Sequence, residues 1–351
     1  MSEQEEQDRM PPESVPASIF QPRSAPGRTQ KSFHGSGTVE RLSQEGFRLF
    51  NLVLEKTLGE QAARLRANKT ALLAVMGFCG GAFGVIAAEL IPSIPFASSK
   101  LTQIIATALW TAAAASLLTL ALSVAVEYHL HKQELSRHAL PKALLSGALA
   151  GAIAGGIAET LYGGSNGVEY WRELLLRPVC WGLMGALLGW RLSAVLPNLG
   201  FFRGVTAGTL GGILGGIGFL FTAILFPQFI GRIIGFGVLG ASLGVALVAA
   251  DALFREAVLE VHWAPNEMTS LPLGSRPIYI GGGDDHVPIS GLQEHASSIA
   301  FDNGRIRYSD LVNGRKTDLK DGSKIKIGRV ELVIKAKKAA LSRENVEPLD
   351  R

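Results

Sequence analysis

The amino-acid sequence predicts an α-helical membrane bundle of six transmembrane helices in three hairpin repeats, followed by a small all-β sandwich. Three observations carry this reading. From Gly204 to Ala250, two long apolar segments hold no acidic residue and place glycine every three or four positions (Gly208, Gly211, Gly212, Gly215, Gly216, then Gly235, Gly237, Gly240, Gly244), broken by Phe226-Pro227 and Arg232. On a helix that spacing collects the glycines into a stripe on one face. In lipid, where no hydrophobic drive separates helix from solvent, such a smooth face lets two backbones approach and pack.

The pattern also recurs, which is the second observation. Gly208-Thr-Leu-Gly211-Gly212-Ile-Leu-Gly215 is echoed by Gly147-Ala-Leu-Ala150-Gly151-Ala-Ile-Ala154 and by Gly77-Phe-Cys-Gly80-Gly81-Ala-Phe-Gly84. Likewise Arg232 to Gly244 is echoed by Arg177 to Gly189, and a weaker copy with alanine for glycine runs from Trp110 to Leu122. Repeated units that bury a small-residue face against the next unit form a repeat architecture. Thirdly, the hydrophobic period switches after Ala252 from that of helices to that of strands.

Composition sets the same bounds. With 47% hydrophobic residues, mean hydropathy +0.25, 18% charged residues and 41 glycines, the 351-residue chain is too apolar for an ordinary soluble domain. A net charge of +4 gives no case for nucleic acid as a partner. Cys79 and Cys180 both fall inside apolar segments, which excludes a disulfide framework and leaves them as small packing residues.

Residues 1–37 are rich in Pro, Ser, Gln and Glu and too poor in apolar runs to fold, so a disordered tail is expected. They show no secretory signal, and the first span is expected to direct insertion. Over 38–69, Phe47, Phe50, Leu54, Leu58 and Leu65 recur at helical spacing among Arg48, Glu55, Lys56, Glu60, Arg64 and Arg66. This predicts an amphipathic interfacial helix, with a coiled-coil or dimerising helix as the competing reading.

Within the transmembrane domain, 70–256, the spans are drawn at Ala71–Ile91, Leu101–Val126, Ala143–Tyr162, Pro178–Leu196, Gly204–Leu225 and Ile233–Ala252. Each approaches the roughly 20 residues a bilayer needs. Glu159 and Arg191 shorten the uncharged cores of the third and fourth. Basic residues sort unevenly between the loops: Arg64, Arg66, Lys69, Lys132, Arg137, Lys142, Arg191, Arg203 and Arg255 on one side, Lys100, Arg172, Arg177 and Arg232 on the other. The excess places both termini of a multi-pass membrane protein in the cytoplasm.

The C-terminal segment, 257–338, holds short β-branched or aromatic runs (Leu259–Trp263, Pro277–Ile280, Ser298–Phe301, Arg305–Tyr308, Lys324–Ile327, Val330–Ile334). Asn303-Gly304, Asn313-Gly314 and Asp321-Gly322 punctuate them, and such dipeptides predict type I′ hairpin turns in which both central residues take positive φ. At about 80 residues, a sandwich of this kind can fold alone. A short tail, 339–351, closes the chain.

The stretch His295-Ala-Ser-Ser-Ile, Asp310-Leu-Val-Asn313-Gly314-Arg, Leu319-Lys-Asp-Gly-Ser-Lys-Ile325-Lys-Ile327-Gly328 and Val330-Glu-Leu-Val resembles a forkhead-associated (FHA) domain. The whole order, glycine-rich hairpins and then this module, is similar to bacterial membrane proteins carrying an FHA-like domain, and the resemblance implies a bacterial inner membrane. In that family a Gly-Arg after an early strand, an S-x-x-H and an Asn-Gly form the loops that bind phosphothreonine peptides. The resemblance implies His295, Asn313 and Gly314 as binding-loop residues, and a signalling scaffold with a protein partner beside the lipid bilayer. The chain departs from the family where Gly281-Gly282-Gly283 replaces the Gly-Arg and Leu292 replaces the serine. Without both, no obvious group makes charge-assisted bonds to a phosphate, and a sandwich kept for protein contacts or structure is the alternative.

Glu89 and Glu159 stand at matching places in the first two repeats, where the third has Leu220. Ionisable residues in spans point to function by default, and paired carboxylates fit a channel or transporter as a second reading. Interfacial anchoring, or a salt bridge between hairpins with Arg177 or Arg232, is the structural reading. His129, His131 and His138 with Glu127 and Glu134 fit no tight metal motif and read as a solvated loop. No paired nucleophile and base, P-loop or cofactor signature is present, so neither enzymatic activity nor a cofactor or metal is expected.

Overall fold

The computed structural model describes residues 45–46, 48–49, 52–53, 56, 59–90, 99–132, 139–162, 170–264, 267–283, 285–302, 304–328 and 330–336. Both tails, part of the expected interfacial helix, Glu134, His138 and Asn303 lie outside them. The chain divides into a helical unit and a β unit, with the boundary in sequence between Phe254 and Arg255.

Among the described residues seven helices occur: α1 Glu60–Ala67, α2 Lys69–Glu89, α3 Lys100–His129, α4 Ala139–Tyr162, α5 Tyr170–Ser193, α6 Phe201–Leu225 and α7 Gln228–Phe254. Asn68 separates the first two and caps α2, its side-chain oxygen accepting from the Ala71 N–H at 3.1 Å. Ser99 caps α3 through Thr102 in the same way. Five helices, α2, α3, α4, α6 and α7, are long and apolar enough to cross a membrane. The shortest has 21 residues and the longest 30, which at about 1.5 Å per residue span roughly 32–45 Å.

α5 is the exception. It begins eight residues before the expected start at Pro178, which therefore lies inside the helix, and it carries Arg172, Glu173, Arg177 and Arg191. Charges taken as loop are part of its first turns.

α2 to α7 form a closed ring. Each packs on the next in sequence, and α7 returns against α2. Glycine makes the approach possible: a Cβ on Gly77 would collide with the carbonyl of Gly240 and one on Gly240 with that of Gly77, and Gly208 and Gly185 stand in the same reciprocal contact. Gly80 and Gly84 admit Ala121 and Ala114 of α3, while Gly211 and Gly215 admit Leu243 and Leu239 of α7. The interior is filled from α3, α5 and α7, whose Leu118, Leu122, Met184, Leu188, Phe236, Leu239, Leu243 and Leu247 are buried. Large side chains of α4 and α6 face outward instead: Leu145, Leu149, Ile153 and Ile157, and Leu210, Leu214, Phe221 and Ile224.

Nine strands follow among the described residues: β1 Ala257–Ala264, β2 Glu267–Leu273, β3 Ile278–Gly281, β4 Val287–Pro288, β5 Ser297–Asp302, β6 Arg305–Asp310, β7 Arg315–Leu319, β8 Lys324–Ile327 and β9 Val330–Ala336. They make two sheets, ordered β2-β1-β9-β8 and β4-β3-β5-β6-β7, antiparallel except for β3 with β4. Alternate residues of β1 and β9 are buried (Leu259, Val261, Leu332, Ile334), as are Ile278, Ile280, Ile299 and Ile306 of the second sheet. The turns differ from the expected type. Gly314 (φ 68°) and Gly322 (φ 80°) are left-handed, but Asn313 and Asp321 are not among the residues with positive φ. These are longer loops in which glycine alone takes the left-handed position.

Candidate functional site

The loops at one end of the β4-β3-β5-β6-β7 sheet gather the candidate residues of the β unit. In the ladder Ser297 of β5 pairs with Asp310 of β6, so the β4–β5 loop ending at Ala296 and the β6–β7 turn beginning at Leu311 emerge side by side. The Leu311 N–H donates to the Ala296 carbonyl at 3.0 Å and ties them. His295 and the Asn313-Gly314 turn are thereby brought to the same end.

Asp310 shapes the turn. One carboxylate oxygen accepts from the N–H groups of Val312 and Asn313, both at 3.0 Å, and the other from Asn313 Nδ2 at 2.8 Å. The Asn313 side chain is thus engaged in its own loop, as short polar side chains in turns commonly are.

His295 is held by a residue that sequence reasoning passed over. Asp285, with its side chain 1% exposed, accepts the His295 backbone N–H on Oδ2 at 2.7 Å and faces His295 Nδ1 from Oδ1 at 2.8 Å, while the imidazole is 58% exposed. The Asp285 carboxylate fixes both the left-handed backbone of His295 (φ 56°) and the ring. Tyr279 flanks it, with ring centroids 4.4 Å apart, and the Tyr279 N–H donates to His286 Nδ1 at 3.2 Å. An imidazole that turns one nitrogen toward a buried carboxylate presents the other outward, suited to hydrogen bonding. No sequence signal marked Asp285, because a second Asp after a glycine run reads as any turn.

Packing explains the glycine run. A Cβ at Gly281 would meet the Asp285 carboxylate, and one at Gly282 would meet the Leu292 carbonyl. The β4–β5 loop lies on this strand end, with the Gly282 N–H donating to the Gln293 carbonyl at 2.9 Å. A side chain at Gly282 would push the loop away, so the missing arginine and this loop path go together.

The membrane-helix carboxylates lie in the helical unit. Glu89, at the end of α2, receives Arg232 of α7 at 2.8 Å, and Glu159 of α4 accepts from the Thr107 hydroxyl of α3 at 3.0 Å. Both bridge neighbouring helices, and the structure does not bring them together with each other.

The histidine stretch differs from the solvated loop expected of it. Glu127 and His129 are buried at the end of α3; the Arg66 carbonyl lies 2.8 Å from His129 Nδ1, and Glu127 pairs with Lys132 at 2.7 Å. Among the described residues no three His, Cys, Asp or Glu side chains cluster as a metal would require. Comparison with known proteins finds no matching family model, no similar curated protein and no similar solved structure.

Proposed function

We propose that this chain is an integral membrane adaptor that displays an FHA-like protein-interaction module on the cytoplasmic side. The observation that carries the reading is the filled interior of the helical ring. Trp110 of α3 and Trp181 of α5 both pack edge-on against Phe236 of α7, with centroids 5.5 and 5.1 Å apart, and Phe219 of α6 joins them. Below this aromatic layer the buried leucines continue, which favours an anchor over a solute path.

α5 is taken as the sixth span, its end charges at the interface. The helices are taken as hairpin repeats α2–α3, α4–α5 and α6–α7. Support comes from recurring contacts: Gly81, Gly212 and Gly151 face the carbonyls of Phe236, Trp181 and Thr111, while Gly77, Gly208 and Gly147 face those of Gly240, Gly185 and Ala115. By the same register Arg232–Glu89 corresponds to Thr107–Glu159 and to Arg177 with Leu220. The weak third copy is then set by Thr111, one residue beyond Trp110.

In the β unit, the paired loops carrying His295 and Asn313-Gly314 support an FHA-like reading, with Asp285 holding His295 in place of contacts an arginine would make. Partner recognition there is proposed to be of protein, with phosphothreonine one class to probe. Full-length protein in detergent tested against paired phosphorylated and unphosphorylated threonine peptides should bind in a His295-dependent way. Silence of both sets, together with a solute flux in proteoliposomes lost on Glu89→Gln and Glu159→Gln, would favour the transporter instead. Orientation is tested by cysteines at Ser98, Ser136 and Ser165 in a background free of Cys79 and Cys180. An impermeant thiol reagent should label the first and third, and labelling of Ser136 alone would invert the topology.

A further inference from the structure

The α4–α5 seam differs from the other contacts of the ring. The glycines of α4 open toward α3, where Gly147, Gly151 and Gly155 meet Ala115, Thr119 and Thr111, and those of α5 open toward α6, where Gly182, Gly185 and Gly189 meet Ile213, Gly208 and Gly204. No described glycine brings α4 close to α5. A polar bond crosses this seam: Arg191 Nε donates to the Ser146 hydroxyl at 3.1 Å, and that hydroxyl donates to the Lys142 carbonyl at 2.5 Å, one turn back along α4.

Charge at this place is unbalanced. Elsewhere in the ring, Lys69 meets Asp251, Lys132 meets Glu127 and Arg232 meets Glu89, while Arg203 donates to the Phe254 carbonyl and lies over its ring. Half-buried Arg191 and exposed Lys142 have no ion pair among the described residues, and Arg191 reaches only a neutral hydroxyl. A guanidinium partly withdrawn from water needs an anion to offset its lost hydration. Leu145 and Leu149, three and seven residues beyond Lys142 on α4, are exposed, so the cationic spot sits at the head of an apolar, outward-facing strip of that helix.

We propose that this seam binds an anionic phospholipid, its phosphate held by Arg191 and Lys142 and its acyl chains lying along Leu145 and Leu149. The guanidinium plane offers two parallel donors to phosphate oxygens, the ammonium adds a second charge, and basic places between membrane helices suit anionic head groups. The inference rests on reading the helices as membrane spans but not on their orientation or on the β unit's partner.

The test uses the full chain purified in detergent and mixed with micelles containing equal phosphatidylglycerol and phosphatidylcholine, with bound lipid counted by native mass spectrometry. Phosphatidylglycerol should be retained in preference, and excess inorganic phosphate should not displace it. Arg191→Gln and Lys142→Gln should each weaken retention about fivefold, the effect of one basic group near an anionic lipid, while Arg203→Gln should not. Lys142 is exposed, so Lys142→Gln, checked by circular dichroism, keeps the test valid if Arg191→Gln misfolds. Equal retention of both lipids, unchanged retention in a folded Lys142→Gln, or displacement by phosphate would each overturn the proposal. Flotation with pure phosphatidylcholine vesicles reads the membrane assignment separately, so its failure is distinguishable from failure of the lipid site.

Discussion

The ammonium of Lys69, the first residue of α2, lies 2.7 Å from Oδ2 of Asp251 near the end of α7, and both side chains are almost fully buried. The pair joins the first and last helices of the ring. Three residues earlier the Arg66 guanidinium, near the end of α1, lies 4.0 Å above the Tyr128 ring of α3, so the junction of α1 and α2 is held by α3 and α7 together. Removing one partner leaves the other charge buried and uncompensated. Lys69→Ala and Asp251→Ala should each cost about 3–5 kcal/mol, whereas the double change Lys69→Met with Asp251→Leu should cost less than either. Melting curves in one detergent compare them, and a double variant as unstable as the sum of the singles would show that the pair is screened by solvent.

Glycine contacts give the second expectation. Leucine at Gly240 must displace the carbonyl of Gly77, and leucine at Gly212 that of Trp181, and backbone cannot move aside as a side-chain tip can. Overpacking should cost about 1–3 kcal/mol at each site, against a negligible change for Leu220→Ile. Loss of the compact species in size-exclusion chromatography is the readout. Unchanged elution and melting of both leucine variants would mean that the helices do not meet on these faces.

A third concerns Asp285. Alanine there leaves the His295 N–H without its carboxylate acceptor and the imidazole without its support, at a cost of about 1–3 kcal/mol. Hydrogen exchange should speed at the His295 amide before it speeds in the β1–β9 ladder. Equal exchange in wild type and Asp285→Ala would remove the carboxylate from its positioning role.

Tyr308 supplies a pH dependence. Burial pushes its phenol above the ordinary value of 10.0, and the Asp310 carboxylate adds to the rise against the Ser297 hydroxyl, which lowers it. With the folded value above the unfolded one, the stability that Tyr308 contributes is complete below pH about 10 and is lost as pH climbs toward the folded value. The stability difference between wild type and Tyr308→Phe should therefore be flat at neutral pH and shift against wild type above about pH 10. A difference that stays flat throughout would mean that the phenol ionises as freely folded as unfolded.

Where a single residue type dictates local geometry, the sequence was readable. Glycine spacing marked the contact faces of α2, α4 and α6, and β-branched alternation marked β1, β5, β6, β8 and β9. β7 was not legible, because Arg315-Lys316-Thr317-Asp318 has no apolar alternation and owes its extended form to the β6 ladder beside it. β2 was hidden by Pro272 within Glu267–Leu273, and β4, at two residues, is too short for any period. The candidate loops were legible at His295 and Asn313 through their resemblance to a family. Asp285 was not, since its role comes from burial beneath a loop ten residues away. Ring closure was equally invisible, being a relation between residues at opposite ends of the helical unit.

That closure sets an order on biosynthesis. Asp251 leaves the ribosome 182 residues after Lys69, which at about 5–20 residues per second is a wait of roughly 9–36 seconds. Through that interval α2 has no α7 to lie against, and its Lys69 charge and the glycine face at Gly77 and Gly81 lack the partners they meet in the ring. The bundle is therefore completed by its last helix, and a chain truncated before α7 is left as an open ring.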